Sequence, residues 1–188
     1  MNINNSNDSN AESNNKKITF LQKYKKTIMF LAFAFWVGFA VLYSMQSNAK
    51  EPYPVGDISK QQLLENHQEF ADNYYDYQLS DNELTAIDAI ADKVNIKVFF
   101  GTWCHDSERE VPRFLQSFKH SQSKVSLIAL DGNKSDPDGL AKQNKIKYTP
   151  TFVVYDGNVE IGRIVERPKQ SLAEDIWMIW YNYSSTKT

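Results

Sequence analysis

Ile96-Lys97-Val98-Phe99-Phe100-Gly101-Thr102-Trp103-Cys104-His105-Asp106-Ser107 is the stretch on which the reading of this chain turns. Ile96 to Phe100 is a short apolar run suited to a buried strand, and the residues from Ser107 to Lys119 predict a helix. Cys104 therefore falls where a strand gives way to a helix. The first amides of a helix lack backbone partners and the macrodipole is positive there, so an anion such as a thiolate is favoured. The thiolate is the reactive form of cysteine, which makes Cys104 the candidate nucleophile. Ser107 can offer the sulfur a hydroxyl but no disulfide. His105, when protonated, favours the anion, and Asp106 opposes it.

Working outward, Lys124 to Leu130 predicts a second strand, Asp138 to Lys145 a short helix and Thr151 to Tyr155 a third strand. Asp156-Gly157 is a hairpin signal that leads into a fourth, antiparallel strand over Glu160 to Glu166. Ser171 starts a last helix with Leu172, Ile176, Ile179 and Trp180 on its apolar face. Upstream, Asp57 to about Phe70 and Asp81 to Ala91 predict helices, with Asp57 and Ser80 or Asp81 as candidate N-caps. The aromatic run Tyr74-Tyr75-Asp76-Tyr77 between them is expected to pack onto the domain. Strands alternating with helices and closed by a hairpin imply a mixed central sheet with helices on its faces, a three-layer α/β domain.

Trp103-Cys104-x-x-Ser107 resembles the Trp-Cys-x-x-Cys motif of the thioredoxin superfamily, with Ser in place of the second cysteine. Pro112, eight residues after the cysteine, sits where that family has a helix-kinking proline. Ile146-Lys147-Tyr148-Thr149-Pro150-Thr151-Phe152 looks like the family's cis-proline stretch, followed by its hairpin and a strand through Gly162. The resemblance runs from about Val94 to Tyr183 and implies a thioredoxin-like fold. It implies that Cys104 is the attacking thiol, Trp103 a flanking aromatic, and Thr149-Pro150 the loop beside the sulfur that meets substrate backbone. Two departures alter the expected mechanism. Val98 stands where thioredoxin carries a buried acid, and Ser107 removes the resolving thiol. A monothiol stops at the mixed disulfide until a second thiol attacks it.

The rest of the chain frames this domain. Of the 188 residues, 41% are hydrophobic, 13% aromatic and 23% charged, which suffices for one packed core but not for two. Residues 1–26 read as an Asn-rich, then lysine-rich, disordered cytoplasmic tail. Residues 27–49 carry no charge and are long enough for a transmembrane helix, with the upstream lysines placing the N-terminus in the cytoplasm. A cleaved signal peptide ending at Ser47-Asn48-Ala49 and a buried soluble helix compete with that anchor. Residues 50–56 read as a Pro/Gly linker, 57–94 as a helical extension and 95–188 as the thioredoxin-like domain. The expected location is the inner or plasma membrane with the domain outside, periplasmic in a Gram-negative cell. After Ala49 there are 16 basic and 21 acidic residues, so the domain is acidic and nucleic acid is not an expected partner.

The chain has one cysteine, so any disulfide it forms is intermolecular. The leading functional expectation is a membrane-tethered monothiol protein that forms mixed disulfides with client thiols or disulfides through Cys104. Glutathione or a partner thiol protein would resolve them. The competing expectation is a redox-inactive module that docks partners on the Trp103 and Pro150 surface, where His105 would also contribute. No cofactor is called for. A metal site from Cys104, His105 and Asp106, with His67 or His120, is disfavoured because adjacent residues at a helix start diverge. Glu108, Arg109, Glu110 and Arg113 are expected to form a solvated helix face, and Trp177 and Trp180 the core and rim of the last helix.

Overall fold

The computed structural model describes residues 24, 25, 27–38 and 53–187. They belong to two units, one within Met1–Glu51 and the other Pro52–Thr188. In the first, the described residues are helical over 24–25 and 27–38, and Phe30, Phe33, Phe35 and Trp36 are exposed. Among the described residues no helix is long and apolar enough to cross a membrane, so the transmembrane helix expected over 27–49 is corrected. Residues 39–49, and most of the expected tail over 1–26, lie outside the described residues.

The second unit is a five-stranded mixed sheet: β1 (Gly56–Asp57), β2 (Asn95–Phe100), β3 (Lys124–Ala129), β4 (Thr151–Asp156) and β5 (Val159–Val165). Their order is β1-β3-β2-β4-β5, with only β2 and β3 parallel. β2 lies at the centre, where Val98 pairs with Leu127 on one side and Phe152 on the other. The mixed sheet expected from the sequence is present. It carries one strand more, because β1 pairs Gly56 with Ala129 and Asp57 with Ile128. Asp57 is thus a strand residue and not the expected helix cap, since two residues are too short to show a strand period in sequence.

The helices are α1 (Lys60–Asn66), α2 (Gln68–Asp76), α3 (Asp81–Ile90), α4 (His105–Ser117), α5 (Leu140–Gln143) and α6 (Leu172–Ser185). The first expected helix begins instead at a capping box formed by Ser59 and Gln62, and it breaks at His67, whose backbone is extended. Ser80 caps α3 through a second box with Glu83, and Ser171 caps α6. Each hydroxyl occupies an amide that the helix start would otherwise leave unpaired.

Alternation along the strands splits the core in two. Ile96, Val98, Phe100, Phe152 and Val154 face a large cluster built with α1, α2, α3, α4 and α6. Phe99, Ile128, Leu130 and Val153 face the other way, covered by Ala141 of α5 and partly buried Ile146. Within the large cluster α2 packs on α4, and α3 on α6. The expected helical extension is therefore part of this core. Leu63, Phe70 and Ile90 are each at most 1% exposed in it. On the last helix Leu172 and Ile176 are buried as expected, and Ile179 and Trp180 lie at the margin. Ile179 rests over Gly162 of β5 so closely that a Cβ there would meet it at 2.7 Å.

Candidate functional site

The site forms where β2 ends. Phe99 and Phe100 are fully buried on opposite faces, which fixes the strand and delivers the chain at a defined point to Gly101. Gly101 is required there, because a Cβ would meet the Trp103 ring at 2.4 to 2.8 Å. The Trp103 indole N–H donates to the Leu130 carbonyl at 3.0 Å, and the ring stays half-exposed with the Lys134 ammonium 5.9 Å from a ring centroid. The Cys104 amide donates to the Gly101 carbonyl, closing the turn at 3.1 Å, and Cys104 becomes the N-cap of α4.

Cys104 is a half-buried residue rather than a core one. As the N-cap side chain its sulfur receives no hydrogen bond from the first amides of α4. It donates to the Thr149 carbonyl at 3.2 Å instead. This corrects the expectation that those amides hold the sulfur directly, since the loop before β4 approaches closely enough to take its proton in a hydrogen bond. Thr149-Pro150 is a cis peptide. Thr149 is 4% exposed, and the Pro150 carbonyl accepts from the Glu166 amide at 2.8 Å, which ties the end of β5 to the same loop. The structure thus brings Cys104, Thr149 and Pro150 together.

Ser107 and His105 go elsewhere. Ser107 is fully buried, and its Oγ accepts from the Gly101 amide at 3.3 Å. It braces the turn that carries the sulfur and bonds to the backbone rather than to Sγ. His105 has a fully open side chain and pairs its Nδ1 with Glu108 at 2.8 Å.

Charge gathers along one stripe of α4. Asp106 accepts from Arg109 at 2.7 Å and from Arg167 at 3.1 and 3.3 Å. The Arg109 hydrogen bond, aided by Arg167, holds the Asp106 carboxyl below the usual carboxylate range. Glu110 corrects the picture of a solvated face, because it is 4% exposed and is held by Arg109 at 2.6 Å. No sequence motif marks Arg167. It is separated from Asp106 by 61 residues, and only the return of β5 beside the Pro150 loop joins them.

The thioredoxin family model matches residues 57–176, well over half of the chain. The chain belongs to the thioredoxin family. Solved structures similar to this thioredoxin-family chain include a protein of unknown function from Pseudomonas aeruginosa, at 14% identity and TM-score 0.49, covering 67% of this chain and 99% of that one. Thioredoxin-2 of a malaria parasite is similar at 21% identity and TM-score 0.36, over 47% of this chain and 82% of that one. Schistosoma mansoni thioredoxin is similar at 17% identity and TM-score 0.34, over 59% and 90%. No curated protein matches the chain.

Proposed function

We propose that this thioredoxin-family chain is a monothiol exchange protein that forms mixed disulfides through Cys104. The observation that carries the proposal is the sulfur of half-buried Cys104 at the start of α4, 3.2 Å from the Thr149 carbonyl beside cis-Pro150. A client chain laid along the Thr149-Pro150 loop would bring its own sulfur to that atom. In the reaction the Cys104 thiol gives its proton to solvent and attacks one sulfur of a client disulfide. The new S–S bond forms as the old one breaks, and the departing sulfur leaves with the electron pair as a thiolate. With one cysteine in the chain, the mixed disulfide persists until glutathione or a partner's thiol attacks it. In this reading Ser107 is a positioning residue that braces Gly101, and Trp103 is a flanking contact.

A second reading, a redox-inactive docking module, draws on a specific observation. The sulfur's bond to Thr149 is one that a protonated thiol makes, and Val98 supplies no proton acceptor beneath the site. Cys104→Ser separates the two. If Cys104-linked adducts recovered from cells on non-reducing gels vanish in the variant along with client capture, exchange is supported. Unchanged client binding by the variant supports docking.

A further inference from the structure

A second feature adjoins the site. Between α4 and the segment 167–172 lies an open cleft of about 210 Å³, lined among others by Tyr77, Glu110, Arg113, Ser117, Arg167 and Gln170. Arg167 joins it to Cys104 from two directions: the neighbouring Glu166 amide holds the Pro150 carbonyl, and the Arg167 guanidinium holds Asp106, two residues past the cysteine. Glu166 adopts a left-handed backbone with φ of 61°, uncommon for a residue with a side chain, and this turns the chain at that point.

The cleft has spare cationic donors. Arg167 is 68% exposed and spends Nε and Nη2 on one oxygen of Asp106, so its Nη1 is without a hydrogen bond among the described residues. Arg113 lies 3.8 Å from Glu110 and 5.6 Å over the Tyr77 ring, and among the described residues its guanidinium makes no hydrogen bond either. The carboxylates nearby are already engaged. Glu110 is held by Arg109 at 2.6 Å, and Asp106 by Arg109 at 2.7 Å. Glu83, Asp175 and Glu174 beside the cleft are likewise engaged, by the Tyr77 hydroxyl, the Gln170 amide and the Ser171 hydroxyl, so the unspent groups here are the guanidinium N–H groups of Arg167 and Arg113. A planar guanidinium with free N–H groups suits a carboxylate.

We infer that the cleft is a specificity subsite that takes acidic side chains flanking the reactive cysteine of a client segment, with Arg167 and Arg113 as the binding groups. The inference rests on the exchange reading for the sulfur, but not for the charge preference. It runs against the net charge of the domain, which by itself attracts basic peptides.

The test uses the full chain and synthetic peptides of one length, each with a central cysteine flanked by glutamates, serines or lysines. The peptides are supplied as 2-pyridyl disulfides, so that Cys104 attack joins Sγ to the peptide sulfur and expels pyridine-2-thione. Neutral 2,2′-dithiodipyridine reports the reactivity of the sulfur alone. The glutamate peptide is expected to react roughly fivefold faster than the lysine peptide, the upper range of an exposed ion pair. Arg167→Gln with Arg113→Gln should bring that ratio to near one, whereas Lys134→Gln, which removes a cation on the Trp103 side, should keep most of it. Peptides with serine in place of cysteine, followed by anisotropy, should show the same order of affinity without thiol chemistry. Failure of dithiodipyridine to react overturns the exchange reading. Equal binding of acidic and basic serine peptides, a lysine preference, or an equal collapse in Lys134→Gln overturns the subsite.

Discussion

The two halves of α4 do different physical work. From Glu110 onward the helix is an anchor: Val111 and Phe114 are fully buried, Leu115 nearly so, and the Phe114 ring packs 5.3 Å from Phe152 of the central sheet. Its first turn is the opposite, with His105 open to solvent, Asp106 and Arg109 part-exposed, and the Cys104 sulfur bonded to another loop rather than to the helix it caps. The contrast shows how a half-buried residue can be fixed in position without being sealed in the core. The anchor sets where α4 begins, and the loops around Thr149 and Arg167 set what surrounds its first residue.

The comparison breaks most sharply at Phe114. Phe114→Ala leaves a cavity under the anchor and is expected to cost about 3–5 kcal/mol, read as a lower urea midpoint. The same truncation at open His105 should change stability by less than about 0.5 kcal/mol. Gly101→Ala is next. The added methyl displaces the Trp103 ring and its bond to Leu130, with an expected loss of roughly 1–3 kcal/mol and a shift in tryptophan fluorescence.

The smaller effects appear at the two ends of the pH range. Beside the anchor, Tyr77 donates to Glu83 at 2.5 Å, and burial together with that bond pushes its phenol well above the usual value. A group raised on folding gives its full stabilisation below the unfolded value of about 10, and this is lost as pH climbs past it. Wild-type stability should therefore fall above about pH 10, and less steeply in Tyr77→Phe, which itself should cost about 1–2 kcal/mol at neutral pH. At the first turn the sign reverses. Asp106 is depressed on folding, so its contribution is present above about pH 3.9 and lost as pH falls through and below that value. Asp106→Asn should flatten part of the acid limb, at a neutral-pH cost of about 1 kcal/mol, because the pair is part-exposed and partly screened by solvent.

How much of this could be read from the residues follows from the range of each interaction. Strands β2 to β5, the hairpin at Asp156-Gly157 and the caps at Ser80 and Ser171 are written in local pattern, and the sheet and helices follow it. β1 escaped because two residues carry no period, and its pairing with β3 is purely tertiary. The break at His67 escaped because the apolar spacing runs across it. The transmembrane expectation rests on an uncharged run and its flanking lysines, and among the described residues no helix is long and apolar enough to bear it out. At the site, the approach of Cys104 to the Pro150 loop came by resemblance to a family. The roles of Glu110 and Arg167 needed coordinates, because charged residues on a helix look solvated until the segment that covers them is placed.

Intact-mass spectrometry of the folded and urea-unfolded full chain with a neutral disulfide tests the central claim most directly. The account predicts one mixed disulfide per chain, on Cys104, that forms at least about tenfold faster in the folded state and persists until a thiol is added. A folded chain that reacts no faster than the unfolded one, or not at all, would contradict it.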